Sequence, residues 1–205
     1  NTLRLLKLVN NLLDFSRIEA GRAKASYEST DIASLTADLA SNFSSASELS
    51  DVQFIVDCPP MNDYCVDIDR EMWEKIVLNL LSNAFKFTHK GSITISMHVE
   101  QEKAVLRVKD TGIGIPKESL PHLFERFYRV ENAYGRSYEG TGIGLSLVKE
   151  LVKLQGGSMD VESKLGEGTS FIVKMPLNHK ASECSIQEYR STNYHAKNYI
   201  AEAKR

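Results

Sequence analysis

Asn79 and Asn83 lie four residues apart and Lys86 follows three later, so the three side chains share one face of a helix. Asparagine carbonyls suit a hard cation such as Mg²⁺, which keeps several waters and completes its shell with phosphate oxygens. A lysine beside them supplies a point charge for the same phosphates. The plainer alternative is a solvated polar face opposite an apolar one. Asp110 ends an apolar strand and runs into Thr111-Gly112-Ile113-Gly114-Ile115-Pro116. A carboxylate there can accept the exocyclic amine of adenine, and the glycines let backbone approach the ring. The plainer alternative is a turn residue capping the strand. Gly140-Thr141-Gly142-Ile143-Gly144 precedes a helix, whose free N–H groups and positive dipole end can hold a phosphate. Leu145 at the helix start would pack under the base. This glycine run is neither the dinucleotide fingerprint nor a P-loop, because no strand enters it and no Gly-Lys-Ser/Thr occurs. Each segment is a weak signal by itself. Together, in this order, they describe one nucleotide pocket, and ATP is the first ligand to consider.

Arg129 and Arg136 flank or lie in a polar, glycine-containing stretch at 131–140, where an arginine on a mobile segment can reach a γ-phosphate. Arg129 is read that way. Phe124 and Phe127 are read as core anchors. The histidines His89, His98, His122, His179 and His195 sit in unrelated contexts and receive no role.

The elements that must position these groups follow from periodicity. Residues 2–22 read as one helix with a broad apolar stripe through Leu5, Leu8, Leu12, Phe15 and Ile18, stopped at Gly21. So wide a stripe is stable only when packed, which suggests a fragment cut inside a helical bundle. A polar linker over 23–30 leads to Asp31, a natural N-cap for a helix over 32–48. Short strands are expected at 53–58 and 64–68, split by Pro59-Pro60. Trp73, Ile76, Val77, Leu80, Leu81 and Ala84 form the apolar face of a helix over 70–88. Alternation predicts strands from Ile93 to Val99 and around Leu106 and Val108, and a short helix is expected over 117–128. A helix over 143–155 stops at Gly156-Gly157. Two last strands, near 158–163 and 169–175, flank Gly166-Glu167-Gly168. Three helix–hairpin units in succession predict an α+β two-layer sandwich, with a mixed, mainly antiparallel sheet and helices on one face. Residues 179–205 read as a polar tail or linker.

Composition narrows the functional classes. The 205 residues are 42% hydrophobic and 25% charged, as in a soluble globular domain. A formal net charge of −2 gives no electrostatic case for nucleic acid or an anionic membrane. No apolar run approaches the roughly 18–20 residues a membrane helix needs, so no direct membrane contact is expected. Cys58, Cys65 and Cys184 show no ligand spacing. Reduced thiols in a cytoplasmic setting are the simplest reading, with a Cys58–Cys65 bridge across a hairpin as the minor alternative. Any metal would arrive with its nucleotide.

Jointly, the segments resemble the ATP-binding domain of sensor histidine kinases, within the superfamily shared with type II topoisomerases, Hsp90-like chaperones and mismatch-repair ATPases. The matching stretches are Asn79–Thr88, Asp110–Pro116, Leu123–Tyr128, Gly140–Leu147 and Gly166–Phe171. Residues 12–22, Leu-Leu-Asp-Phe-Ser-Arg-Ile-Glu-Ala-Gly-Arg, look like the end of the second dimerisation helix of those kinases. The resemblance implies a Bergerat-type sandwich over 31–178, preceded by one bundle helix in 1–22, with ATP under a flexible lid at about 129–140. By that likeness Asn83 ligates Mg²⁺, with Asn79 and Lys86 at the phosphates and Arg129 assisting. Asp110 binds the adenine amine, supported by Thr169. Phe87, Gly112, Gly114, Ile115, Gly140, Thr141, Gly142, Ile143, Gly144 and Leu145 complete the cofactor pocket. Topoisomerase-like relatives carry a water-activating glutamate where this chain has Asn79. An amide is a poor general base, so transfer of the γ-phosphoryl to a histidine is favoured over hydrolysis.

The family's acceptor histidine lies on the first dimerisation helix, upstream of Asn1, so this chain is expected to bind ATP without autophosphorylating alone. The implied partners are a histidine-bearing dimerisation segment, within a homodimer of the parent, and a response regulator or fused receiver domain. Residues 199–205 resemble the connector that precedes such a receiver. The parent itself could be anchored in a membrane. Two rival readings are a degenerate interaction module that signals by helix pairing, and an ATP-hydrolysing clamp or chaperone.

Overall fold

The computed structural model describes residues 2–48, 50–61, 64–130, 141–177, 179, 180 and 199. Helix α1 (Thr2–Glu19) ends before Gly21, as its apolar spacing predicts. Asp31 then caps α2 (Ile32–Ser41), its Oδ1 accepting from the N–H groups of Ala33 and Ser34 at 3.1 Å. The single helix expected over 32–48 breaks at Asn42, whose side-chain Nδ2 donates to the carbonyls of Asp38 and Leu39, and a short α3 (Ser44–Glu48) follows. Asp69 opens the long helix α4 (Arg70–Phe87) by accepting from the Met72 N–H at 3.0 Å. Helix α5 (Gly144–Leu154) closes the helical layer, packed on α4 as α2 is from the other side.

The main sheet has the order β2-β4-β5-β7-β6, from β2 (Asp51–Asp57), β4 (Lys90–Glu100), β5 (Lys103–Asp110), β6 (Ser158–Lys164) and β7 (Gly168–Pro176). All its pairings are antiparallel except β2 with β4. A second, small sheet joins β1 (Glu28–Thr30), β3 (Tyr64–Ile68) and β8 (His179–Lys180). The expected hairpin of β2 and β3 therefore does not form. The two prolines after β2 cannot donate to a ladder, and β3 pairs instead with a strand inside the stretch read as linker. The segment expected as a helix over 117–128 is only a 3₁₀ turn, Lys117–His122, with Pro121 inside it.

The core lies between α4 and the sheet. Trp73, Ile76, Val77, Leu80 and Leu81 of α4 are fully buried against Ile93, Ile95, Met97, Leu106 and Val108. Trp73 also places its Nε1–H on Thr36 Oγ1 at 3.0 Å, so α2 and α4 are joined by a satisfied polar contact within apolar packing. Asp69 ties three segments together. Its backbone N–H donates to Gln155 Oε1 at 2.9 Å, and its Oδ2 accepts from the Ser26 N–H at 2.8 Å.

Cys65 on β3 is disulfide-bonded and Cys58 is a free buried thiol, which excludes the Cys58–Cys65 bridge and departs from the all-reduced expectation. Burial, then the neighbouring Asp57 charge, pushes the Cys58 thiol up to about 12 and leaves it unreactive.

Candidate active site

Three chain segments converge on the C-terminal half of α4. The first is α4 itself. Asn83 and Lys86 are half-buried, whereas Asn79, one turn earlier, is only 4% exposed. The Asn79 amide donates to the Lys75 carbonyl at 2.7 Å and to the Tyr199 hydroxyl at 3.0 Å. Among the described residues, no hydrogen bond engages the Asn83 amide. The two asparagines thus share a face but differ in availability. Lys86 carries its ammonium 5.0 Å from the centre of the Phe87 ring.

The second segment is the turn after β5. The Phe87 carbonyl accepts the Ile113 N–H at 3.2 Å, which fastens this turn to the end of α4. Gly112 sits so near that a methyl group there would lie 2.3 Å from the Phe87 oxygen, so no other residue fits. Asp110 is 6% exposed. Its Oδ1 accepts from the N–H of Gly112 at 2.9 Å and of Thr169 at 3.3 Å. Among the described residues no hydrogen bond reaches Oδ2. Burial raises the Asp110 carboxyl above its ordinary value, and the two N–H donors offset part of that rise.

Thr169 pairs opposite Asp110 across the β5–β7 ladder, and its backbone, rather than its hydroxyl, supports the carboxylate. The hydroxyl instead meets Ser163 Oγ at 2.9 Å. Ser163 was not singled out by sequence, yet it holds the turn in place. Its oxygen accepts the Ile115 N–H at 2.8 Å, and it donates to the Gly168 carbonyl at 2.9 Å. The only signal available was alternation on β6, which put Ser163 on the same side as Val161 and Met159.

The third segment is the glycine turn before α5. Gly140 lies outside the described residues, as does Arg136. Thr141 accepts the Ile143 N–H on its Oγ1 at 3.3 Å, and Ile143 is buried. The Gly142 carbonyl accepts the Phe127 N–H at 2.9 Å. Gly144 packs so close to Asn79 that a methyl there would meet Oδ1 at 3.0 Å. Leu145 is partly buried against the core.

Phe127 corrects an expectation. It is 64% exposed and holds a left-handed backbone, φ 60°, while Phe124 alone packs on the core. Arg126 is clamped by α1. Its guanidinium lies 3.9 Å from the centre of the Phe15 ring, and it pairs with Glu19. Lys75 of α4 pairs with Asp14 of α1 at 2.6 Å, a further fastening of that helix. Arg129 is exposed and lies at the edge of the 131–140 stretch.

A buried carboxylate sits on a strand end whose following turn is fastened to Phe87 of α4, a half-buried amide lies on α4 itself, and the glycine turn before α5 packs on Asn79 of the same helix. Comparison with known proteins gives the family of the domain. Residues 68–179 match the family described as histidine kinase-, DNA gyrase B-, and HSP90-like ATPase, and the chain belongs to that family. The sensor histidine kinase TmoS of Ectopseudomonas mendocina is 39% identical over 181 residues, which cover 87% of this chain and 18% of TmoS. The circadian input-output histidine kinase CikA of Synechococcus elongatus is 37% identical, over 84% of this chain and 23% of CikA. The chain therefore spans less than a quarter of the length of these curated relatives. Among solved structures, full-length ShkA in complex with AMPPNP superposes with a TM-score of 0.74 at 28% identity, over 88% of this chain and 37% of that one. Within its family the domain is of the ATP-binding catalytic kind found in sensor histidine kinases.

Proposed function

We propose that this domain binds Mg–ATP and donates its γ-phosphoryl group to a histidine presented by a dimerisation segment. The observation that carries the reading is Asp110: one carboxylate oxygen is fixed by two backbone N–H groups, and the other is left for an adenine amine. The residues around it suit a nucleotide. The open Asn83 amide offers a hard oxygen to Mg²⁺, and Lys86 lies one turn further along the same face. The turn Thr141–Gly144 at the start of α5 suits phosphate oxygens, and the exposed Arg129 would reach the γ-phosphate. Gly112, Gly114 and Ile115 form the floor beneath the base, with Phe87, Ile143 and Leu145 as apolar neighbours. Asn79 supports this turn from below. Among the described residues no cluster of His, Cys, Asp or Glu forms a metal cage, so the cation would come with the nucleotide. Mg²⁺ would neutralise developing charge on the phosphates.

In the proposed reaction the bond between the γ-phosphorus and the bridging oxygen breaks, an imidazole nitrogen forms the new P–N bond, and ADP leaves. Catalysis would consist of positioning and electrostatic stabilisation. An amide at residue 79 supports transfer over hydrolysis, because it cannot take a proton from water. We assign residues 1–22 to the dimerisation hairpin, 23–30 to a linker, 31–178 to the catalytic domain and 179–205 to a tail. The parent would act as a homodimer with a response regulator or fused receiver, on the cytoplasmic side. No described helix is long and apolar enough to cross a membrane.

Calorimetric titration with Mg–ATP should give binding that Asp110→Asn weakens at least tenfold, about 1.4 kcal/mol. Equal binding by both proteins, or none by wild type, defeats the pocket. Adding the histidine-bearing segment with labelled ATP should yield phosphohistidine, and Asn83→Ala should abolish it. Label that survives Asn83→Ala removes the metal role, and rapid release of phosphate without labelling points to an ATPase.

A further inference from the structure

Tyr199 stands far along the chain from α4, yet it is 4% exposed and sits in the hydrophobic core. Two hydrogen bonds from α4 hold it there. Asn79 Nδ2 donates to its hydroxyl at 3.0 Å, and Ser82 Oγ donates to its carbonyl at 3.4 Å. Nδ2 also donates to the Lys75 carbonyl at 2.7 Å. An asparagine amide has two hydrogens to give and one oxygen to accept with. With both hydrogens engaged, the amide cannot rotate, and Oδ1 is left against Gly144. Gly144 begins α5, so a partial negative charge meets the positive end of that helix. A flipped amide would present N–H groups to the same end and repel it. The Lys75 carbonyl belongs to the ladder of α4 itself; Tyr199 is the restraint that comes from outside the helix.

We propose that Tyr199 is a positioning residue for the phosphate-binding turn. Its hydroxyl orients Asn79, and the oriented Asn79 seats the start of α5. This rests on the nucleotide site assigned above. The region beyond the last strand of the main sheet thereby contributes to the pocket through one phenol, without touching the nucleotide.

Tyr199→Phe removes one oxygen and leaves the ring to fill its place. Orphaning one buried amide hydrogen should weaken Mg–ATP binding about tenfold. The Asn79 side-chain amide resonances in ¹⁵N spectra should shift and exchange faster with solvent. In an Asn79→Ala background, Tyr199→Phe should add nothing further to the dissociation constant, because the group it orients is gone. Equal affinity of wild type and Tyr199→Phe overturns the proposal while leaving the nucleotide site standing. Equal losses in both backgrounds overturn it too, since they report packing alone. Failure of wild type to bind Mg–ATP ends the nucleotide reading and this one with it; unmoved Asn79 amide resonances in Tyr199→Phe end this one alone.

Discussion

Asp110 is a carboxylate kept short of water, and its titration has two consequences of opposite sign. Burial raises its pKa in the folded protein above the ordinary value of 3.8, so the fold holds its proton more tightly than the unfolded chain does. The ligand-free domain should therefore lose stability as pH climbs from the ordinary value through the raised one, and stay at the lower level above it. Asp110→Asn should abolish that dependence and melt higher at neutral pH, as read by thermal denaturation across a pH series. Nucleotide affinity should move the other way. An amine donor favours the anion, so binding strengthens with rising pH over the same window, and calorimetry on Asp110→Asn should find a weak, flat profile. A wild-type affinity that does not vary across the window would contradict the assigned contact.

At the scale of elements, α1 is fastened to the catalytic layer by the buried Phe15, by Ile18 packed on the core and by a few polar contacts. Arg126 stacks on Phe15 and pairs with Glu19, and Lys75 pairs with Asp14. The exposed Arg126–Glu19 pair contributes little by itself and the stacked guanidinium about 0.5–1 kcal/mol, whereas the Lys75–Asp14 pair is part-buried. Arg126→Ala should release α1 selectively: its amides should exchange about fivefold faster, while those of α4 keep their protection. Leu6, Val9, Leu12 and Leu13 of α1 remain exposed, as expected for a helix whose apolar stripe exceeds what this layer can cover. The contrast with α4 explains what could be read from sequence. Trp73 to Ala84 repeat at helical spacing and Ile93 to Met97 alternate, so local periodicity alone fixes which faces are buried. Nothing local announces that β2 lies parallel to β4, because pairing between distant strands leaves no trace in either strand's own pattern. Phe127 misled for a related reason. Its aromatic side chain suggests burial, but its backbone is pinned by the Gly142 carbonyl in a conformation that turns the ring outward. Asp110 and the glycine turns were legible through residue type, whereas Ser163 and Tyr199 act through contacts that only the folded chain creates.

For the molecule as a whole, covalent and polar ties converge near the small sheet. Cys65 is disulfide-bonded on β3, and its backbone pairs with His179 of β8. Reduction should lower the melting temperature by several degrees, given about 2–4 kcal/mol for a typical bridge. An identical melting curve with and without reductant would show that the bond does not form in solution. Asp69 is the other tie, and it bears on movement. Because its carboxylate holds the Ser26 amide while its own amide is held by Gln155, the chain leaves the catalytic layer at a fixed point and in a fixed direction. Ser26 is thus the last rigid joint before α1. Arg22 and Ala23 still belong to the helix end, their N–H groups donating to the Arg17 carbonyl, so once Arg126, Lys75 and the buried Phe15 all let go, the swing of that helix falls on the few residues between Ala23 and Ser26. So short a tether lets α1 pivot about one end but keeps it from drifting away, and the arc it can sweep is set by the length of that tether.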